Sequence, residues 1–205
     1  MEITAGQVKD LREKTGAGMM DCKKALMETK GDFEQAVDYL RKKGLSAAAK
    51  KAGRAVKEGA IISMTSPDGK TAILAEINCD TDFVARNEAF QGFIKDIASH
   101  ILTTKPADVT AMAAQKFSKD PSKTVAEALS TAISKIGENM VIRRFQIYDI
   151  KGSGAFATYI HSTGKIGVLV EVGTDNAAAA TNEATQTFAK DVAMHVAAAN
   201  PQVVR

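Results

Sequence analysis

The chain has 205 residues, 45% of them apolar and 25% charged, with a formal net charge of +3. That balance suits an ordinary globular protein of one large or two to three small domains, and the charge is too weak and too mixed to argue nucleic-acid binding. Cys22 and Cys79 stand far apart with no CxxC and no nearby His pair, which argues against a disulfide framework or a zinc site and suits free thiols in a reducing cytoplasm. Met1-Glu2-Ile3-Thr4 shows no signal-peptide pattern, and no apolar run approaches the roughly 20 residues of a membrane span.

Residues 4 to 43 read as three short helices. Thr4 with Gln7 makes a capping box, and Ile3 with Val8 staples it. The first helix stops near Thr15-Gly16. A second starts about Met19 and ends at Gly31. Asp32 with Gln35 opens a third, which ends near Gly44. A core this small lies close to the limit of independent stability. On the second helix Met19, Cys22 and Leu26 share one stripe, while Met20, Lys23 and Met27 share another. The second stripe either widens the core or offers an adaptable apolar contact with one cation. Leu45 to Lys57 is rich in Ala and Lys and reads as a basic linker. It is either a solvated connector or a contact to an acidic surface or RNA, and no aromatic residues interleave for base stacking.

From Gly59 the period changes to two. Ile61 to Met64 and Ala72 to Ile77 make a β-hairpin around a Pro67-Asp68-Gly69 turn. Phe90, Phe93, Ile94, Ile97 and Ile101 then recur at helical spacing. Residues 107 to 123 are a mixed connection. Pro121-Ser122-Lys123-Thr124 introduces another helix that stops at Gly137, and Met140 to Tyr148 reads as a strand.

Between the hairpin and the long helix lies Asn78-Cys79-Asp80-Thr81-Asp82-Phe83-Val84-Ala85-Arg86-Asn87. Here an acid and a large aromatic sit side by side at a strand-to-helix junction, where binding residues concentrate. Phe83 is either a core residue behind a Thr81 cap or a side chain that projects. It projects only if the main helix starts near Asn87, because a continuous helix from Thr81 points Phe83 and Phe90 the same way.

The chain contains an internal repeat. Sliding it by 95 positions (154 − 59) lays Gly59–Val109 on Gly154–Val204 without a gap. Phe93, Lys95, Asp96 and His100 meet Phe188, Lys190, Asp191 and His195. About a third of the positions are identical, far above chance for ordinary residue frequencies. Both copies are hairpin-plus-helix units that need neighbours to bury their apolar faces. Thr81 to Arg86 differs from the second copy at every position but Ala85, since Asn176-Ala177-Ala178-Ala179-Ala180-Thr181 stands there. The junction motif is therefore not required to build the unit. No phosphate loop, dinucleotide fingerprint or nucleophile elbow is present, and the histidines are too dispersed for a metal site. No catalytic, cofactor or metal residues are assigned.

Thr15 to Leu26, Cys79 to Asn87 and Lys135-Ile136-Gly137-Glu138-Asn139 together resemble the translation elongation factor Ts family. The strings are long, uncommon and in order across most of the chain. The resemblance implies an α+β protein with three parts. Residues 1–55 are a three-helix ubiquitin-associated-like domain with a basic linker. Residues 56–140 and 141–205 are two core subdomains. It also implies guanine-nucleotide exchange on elongation factor Tu in the cytoplasm, without enzymatic chemistry and without direct contact to nucleic acid or membrane. Thr81, Asp82, Phe83 and Val84 are then expected to press toward the partner's magnesium, with Phe83 as wedge and Asp82 as electrostatic disruptor. Met19, Met20 and Lys23 are expected to dock the N-terminal domain. Members of the family that continue past the second repeat add a helical hairpin and a final strand and helix, so this sequence is a shortened member or a fragment. The competing reading is an adaptor that binds a partner through the N-terminal helices.

Overall fold

The computed structural model describes residues 3–203. Helix α1 (Ala5–Thr15) opens on the reciprocal Thr4–Gln7 cap. It closes at Gly16, whose φ of 69° lets its N–H reach back to the Arg12 carbonyl. Helix α2 (Met19–Glu28) follows, and Gly31 closes the turn after it, donating to the Leu26 carbonyl. Helix α3 (Phe33–Lys51) starts at Asp32, which accepts the Gln35 N–H. Leu11, Cys22, Leu26, Ala36 and Leu40 form the buried centre of these three helices.

The expected end of the third helix at Gly44 is wrong. The helix runs on to Lys51, through most of the expected linker. Ser-Ala-Ala-Ala-Lys-Lys is strongly helix-forming, so one glycine does not stop it. Gly44 is buried against another helix, and a Cβ there would lie 3.9 Å from the Cβ of Ser134. It is an interior helix residue at a helix contact, not a terminator.

Strands β1 (Glu58–Thr65) and β2 (Thr71–Cys79) form the expected hairpin, with Gly69 at a φ of 70° in its turn. A short helix α4 (Asp82–Ala85) precedes the long α5 (Glu88–Thr104), whose Phe90, Ile94, Ile97 and Ile101 bury on the sheet. The mixed connection resolves into α6 (Val109–Ala114) and a small ribbon of β3 (Lys116–Phe117) and β4 (Asp120–Thr124). Helix α7 (Val125–Ile136) runs from a Thr124–Glu127 capping box to Gly137. Strand β5 (Met140–Asp149) pairs antiparallel with β2, giving the order β1-β2-β5. It thus completes the first sheet, although a division at residue 140 groups it with the second repeat.

The second unit has β6 (Ser153–Ile160), β7 (Gly167–Thr174), α8 (Ala177–Thr181) and α9 (Glu183–Ala199). These fall on β1, β2, α4 and α5 after the 95-residue shift, down to matching Asn87 and Asn182 caps. Its β6–β7 sheet has two strands among the described residues. The hairpin tip docks on the first sheet, where the Ile61 N–H donates to the Gly164 carbonyl at 2.8 Å.

The three-helix unit is tied to the core through α3 and α7. Arg41 meets Glu127 at 2.8 Å and Lys51 donates to the Gly137 carbonyl at 2.6 Å. One helix serves both cores, since Leu40 buries among α1 and α2 while Ala48 joins the core of the first sheet.

Candidate functional site

The junction after β2 is built as a two-step turn. Thr81 caps α4, its hydroxyl accepting the Val84 N–H at 3.3 Å. Four residues later α4 ends, and Asn87 caps α5 by accepting the Ala89 N–H at 2.8 Å. The chain therefore breaks between Phe83 and Phe90, and the two rings part company. Phe90 is fully buried, whereas Phe83 is 83% exposed. The projecting alternative holds and the core alternative does not. A ring of that size in water forgoes roughly 1.5–3 kcal/mol of burial, which docking into a partner would recover.

The flanking residues are held firmly. Val84 packs on the core of the first sheet. Asp82 is half exposed and faces Arg86 at 3.5 Å, a pair worth little on a solvated helix turn. The Thr81 backbone N–H donates to Glu138 Oε2 at 3.0 Å and its hydroxyl to Glu138 Oε1 at 2.7 Å. Next to it, the Asn139 N–H donates to Asp80 Oδ2 at 3.0 Å, and Arg54 approaches the same oxygen at 3.7 Å. Asn139 is itself buried and donates through Nδ2 to the Arg54 carbonyl. Two corners thus grip each other, one after β2 and one between α7 and β5.

Cys79 lies at the end of β2, its thiol donating to the Thr81 carbonyl at 3.2 Å. Burial first, and the nearby Glu138 charge second, push this thiol up to about 11. It is protonated at neutral pH and poorly suited to act as a nucleophile. Among the described residues, no three His, Cys, Asp or Glu side chains converge to hold a metal ion.

The expected docking residues lie elsewhere, on α2. Cys22 and Leu26 are buried, while Met20 and Met27 are 73% and 61% exposed. The second stripe therefore does not widen the core. Met19, which the helical phase groups with the buried stripe, is nearly half exposed because it opens the helix. Lys23 is exposed beside Met20 and Met27. Met20 and Lys23 are brought together on one face, separate in sequence from Phe83. In the sequence Glu138 and Asn139 stand out only as part of the string Lys135–Asn139. Their role depends on pairing β2 with β5, which sets Cys79 opposite Met140 and brings residues 80–81 beside 138–139.

Residues 80–205 match the family described as Elongation factor TS. The chain belongs to the elongation factor Ts family. An elongation factor Ts from Trichlorobacter lovleyi is 56% identical over 202 residues, covering 98% of this chain and 65% of that protein. Another from Clostridium novyi is 52% identical over 199 residues, covering 97% and 63%. The chain thus spans a little under two thirds of the length of these relatives within the elongation factor Ts family.

Proposed function

We propose that this chain is a guanine-nucleotide exchange factor for elongation factor Tu, acting in translation elongation in the cytoplasm without chemistry of its own. The observation that carries the reading is Phe83, a large apolar ring 83% exposed at the apex of a braced turn. Membership of the elongation factor Ts family supplies the partner. In this reading Phe83 enters a cleft of the GTPase domain, Asp82 disturbs the groups around its magnesium, and Thr81 and Val84 set the turn. Met19, Met20 and Lys23 dock the N-terminal helices, which we take to be a ubiquitin-associated-like domain covering residues 1–55. The two repeated core subdomains then follow at 56–140 and 141–205.

An exchange factor must bind the nucleotide-free partner better than the nucleotide-bound one, and linkage makes nucleotide weaken its binding equally. A thousandfold faster release corresponds to about 4 kcal/mol. Burying Phe83 supplies about 1.5–3 kcal/mol, so the remainder falls to Asp82 and to an interface above about 2,000 Å² in total.

The test is release of a fluorescent GDP analogue from elongation factor Tu. The wild-type chain is expected to accelerate release. Phe83→Ala is expected to lose about tenfold or more of that acceleration while still binding the nucleotide-free partner. Undiminished acceleration by Phe83→Ala removes the wedge. Absence of acceleration by the wild type removes the exchange reading.

A further inference from the structure

We propose that Glu138 is a positioning residue. It holds the Thr81 turn in the one conformation that presents Phe83, and Asn139 does the same for Asp80. The use of that presented ring rests on the exchange reading above.

The geometry is specific. Gly137 ends α7 with a φ of 91°, which turns the chain back into β5 and aims Glu138 at the neighbouring corner. There one carboxylate takes two donors from a single residue, at 3.0 Å from the Thr81 amide and 2.7 Å from its hydroxyl. Charge-assisted bonds to a two-oxygen acceptor are stronger and more directional than neutral ones. They also leave the Thr81 hydroxyl oxygen free to accept the Val84 N–H, so the cap and the clamp share one atom. The Asn139 backbone adds the parallel bond to Asp80.

The second repeat shows how the same turn is capped with other residues. Asn176 stands where Thr81 does and caps α8 through its side chain, accepting the Ala179 N–H at 2.9 Å. Among the described residues no side chain accepts from the Asn176 amide, and alanines follow in place of Asp82, Phe83 and Val84. In the first copy the turn that carries Phe83 is capped and also clamped, whereas among the described residues the Asn176 turn is capped by its own side chain and has alanines at its tip. A turn that only needed to cap a helix would manage with the simpler arrangement. A carboxylate brace is what a projecting ring requires if its entropy is to be spent before docking.

The test uses Glu138→Ala, Glu138→Gln and Glu138→Asp in the full chain, with two readouts. The first is amide hydrogen exchange of the free protein. In Glu138→Ala the Thr81 and Val84 amides are expected to exchange about tenfold faster or more, with Ile77 and Ile97 unchanged. Glu138→Gln keeps the length and can accept the amide while donating to the hydroxyl, so it restores protection. Glu138→Asp keeps the charge but not the reach, and stays loose. The second readout is GDP release, where the same order is expected in the maximal rate, with the half-saturating concentration little changed.

Unchanged Thr81 protection in Glu138→Ala and Glu138→Asp overturns the clamp. Rescue by Asp but not Gln keeps the clamp and assigns it to the charge rather than to the reach. A loosened turn with a wild-type maximal rate overturns the positioning role. If the wild type itself fails to speed release, the exchange reading falls, and the hydrogen-exchange arm still decides the clamp. If Glu138→Ala does not fold, the Gln and Asp pair gives the same decision.

Discussion

Gly59 shows how a single residue sets the edge of the first sheet. Its φ is 144°, and a Cβ there would sit 2.3 Å from the Ile77 carbonyl oxygen and 2.6 Å from the Asn78 Cα. Both are backbone atoms of the paired strand and cannot step aside. Gly59→Ala is therefore expected to destabilise the protein by more than about 2 kcal/mol, read as a lower urea midpoint. Its repeat partner Gly154 meets the Val172 carbonyl at 2.7 Å and is expected to respond in the same direction. The sequence marks both glycines as the start of the repeat, but the reason for them is a contact across the sheet, which no local pattern reveals. Phe83 is similar. Its exposure turns on where α5 begins, and Asn87 as a cap is legible from sequence. Glu138 is not, because its contact spans 57 positions.

At the scale of elements, His100 anchors the β3–β4 ribbon to α5. The Ser118 N–H donates to Nδ1 at 3.2 Å, so Nδ1 accepts and Nε2–H donates to Gln115 Oε1 at 3.0 Å. The neutral ring fits this site. Burial lowers its pKa below the usual value of 6.5, with the Gln115 bond opposing in part. The unfolded chain therefore takes up the proton first. The contribution of His100 to stability is whole above the unfolded pKa and is lost as pH falls from about 6.5 through the lower folded value. Urea midpoints at pH 7.5 and pH 5 are expected to fall more steeply for the wild type than for His100→Gln; equal slopes would mean that the ring is solvated. The repeat suggests the same role for His195, but His195 is exposed. Helix α5 is covered by residues 115–118, and none of the described residues plays that part on α9. Phe188 shows the same asymmetry at 58% exposure, whereas its counterpart Phe93 packs against the first core. Among the described residues the two copies thus share a scaffold but not the same cover.

For the whole molecule, the decisive feature is that α3 belongs to two cores. Periodicity reveals the helices, the hairpins and the repeat, because each is a local pattern. It does not reveal how the three-helix unit is fastened, because Gly44 reads as a stop signal when its partner helix is unknown. In the folded protein the Gly44 position faces α7 at ordinary contact distance, with 3.9 Å to the Ser134 Cβ and 4.0 Å to the Ser130 carbonyl. One methyl fits there without displacement and a branched side chain does not. Two substitutions at this residue should therefore act with opposite signs. Gly44→Ala removes the glycine penalty in a helix interior and is expected to stabilise by about 0.5–1 kcal/mol. Gly44→Leu drives α3 and α7 apart and strains the Arg41–Glu127 and Lys51–Gly137 contacts beyond it. The small N-terminal core, which has little burial of its own, then loses its support. Hydrogen exchange should show Leu11 and Leu26 amides exposed before those of Ile77 and Ile97 in Gly44→Leu, and together with them or nearly so in Gly44→Ala. If both sets stay coupled in Gly44→Leu, the two cores are joined by something other than this helix contact.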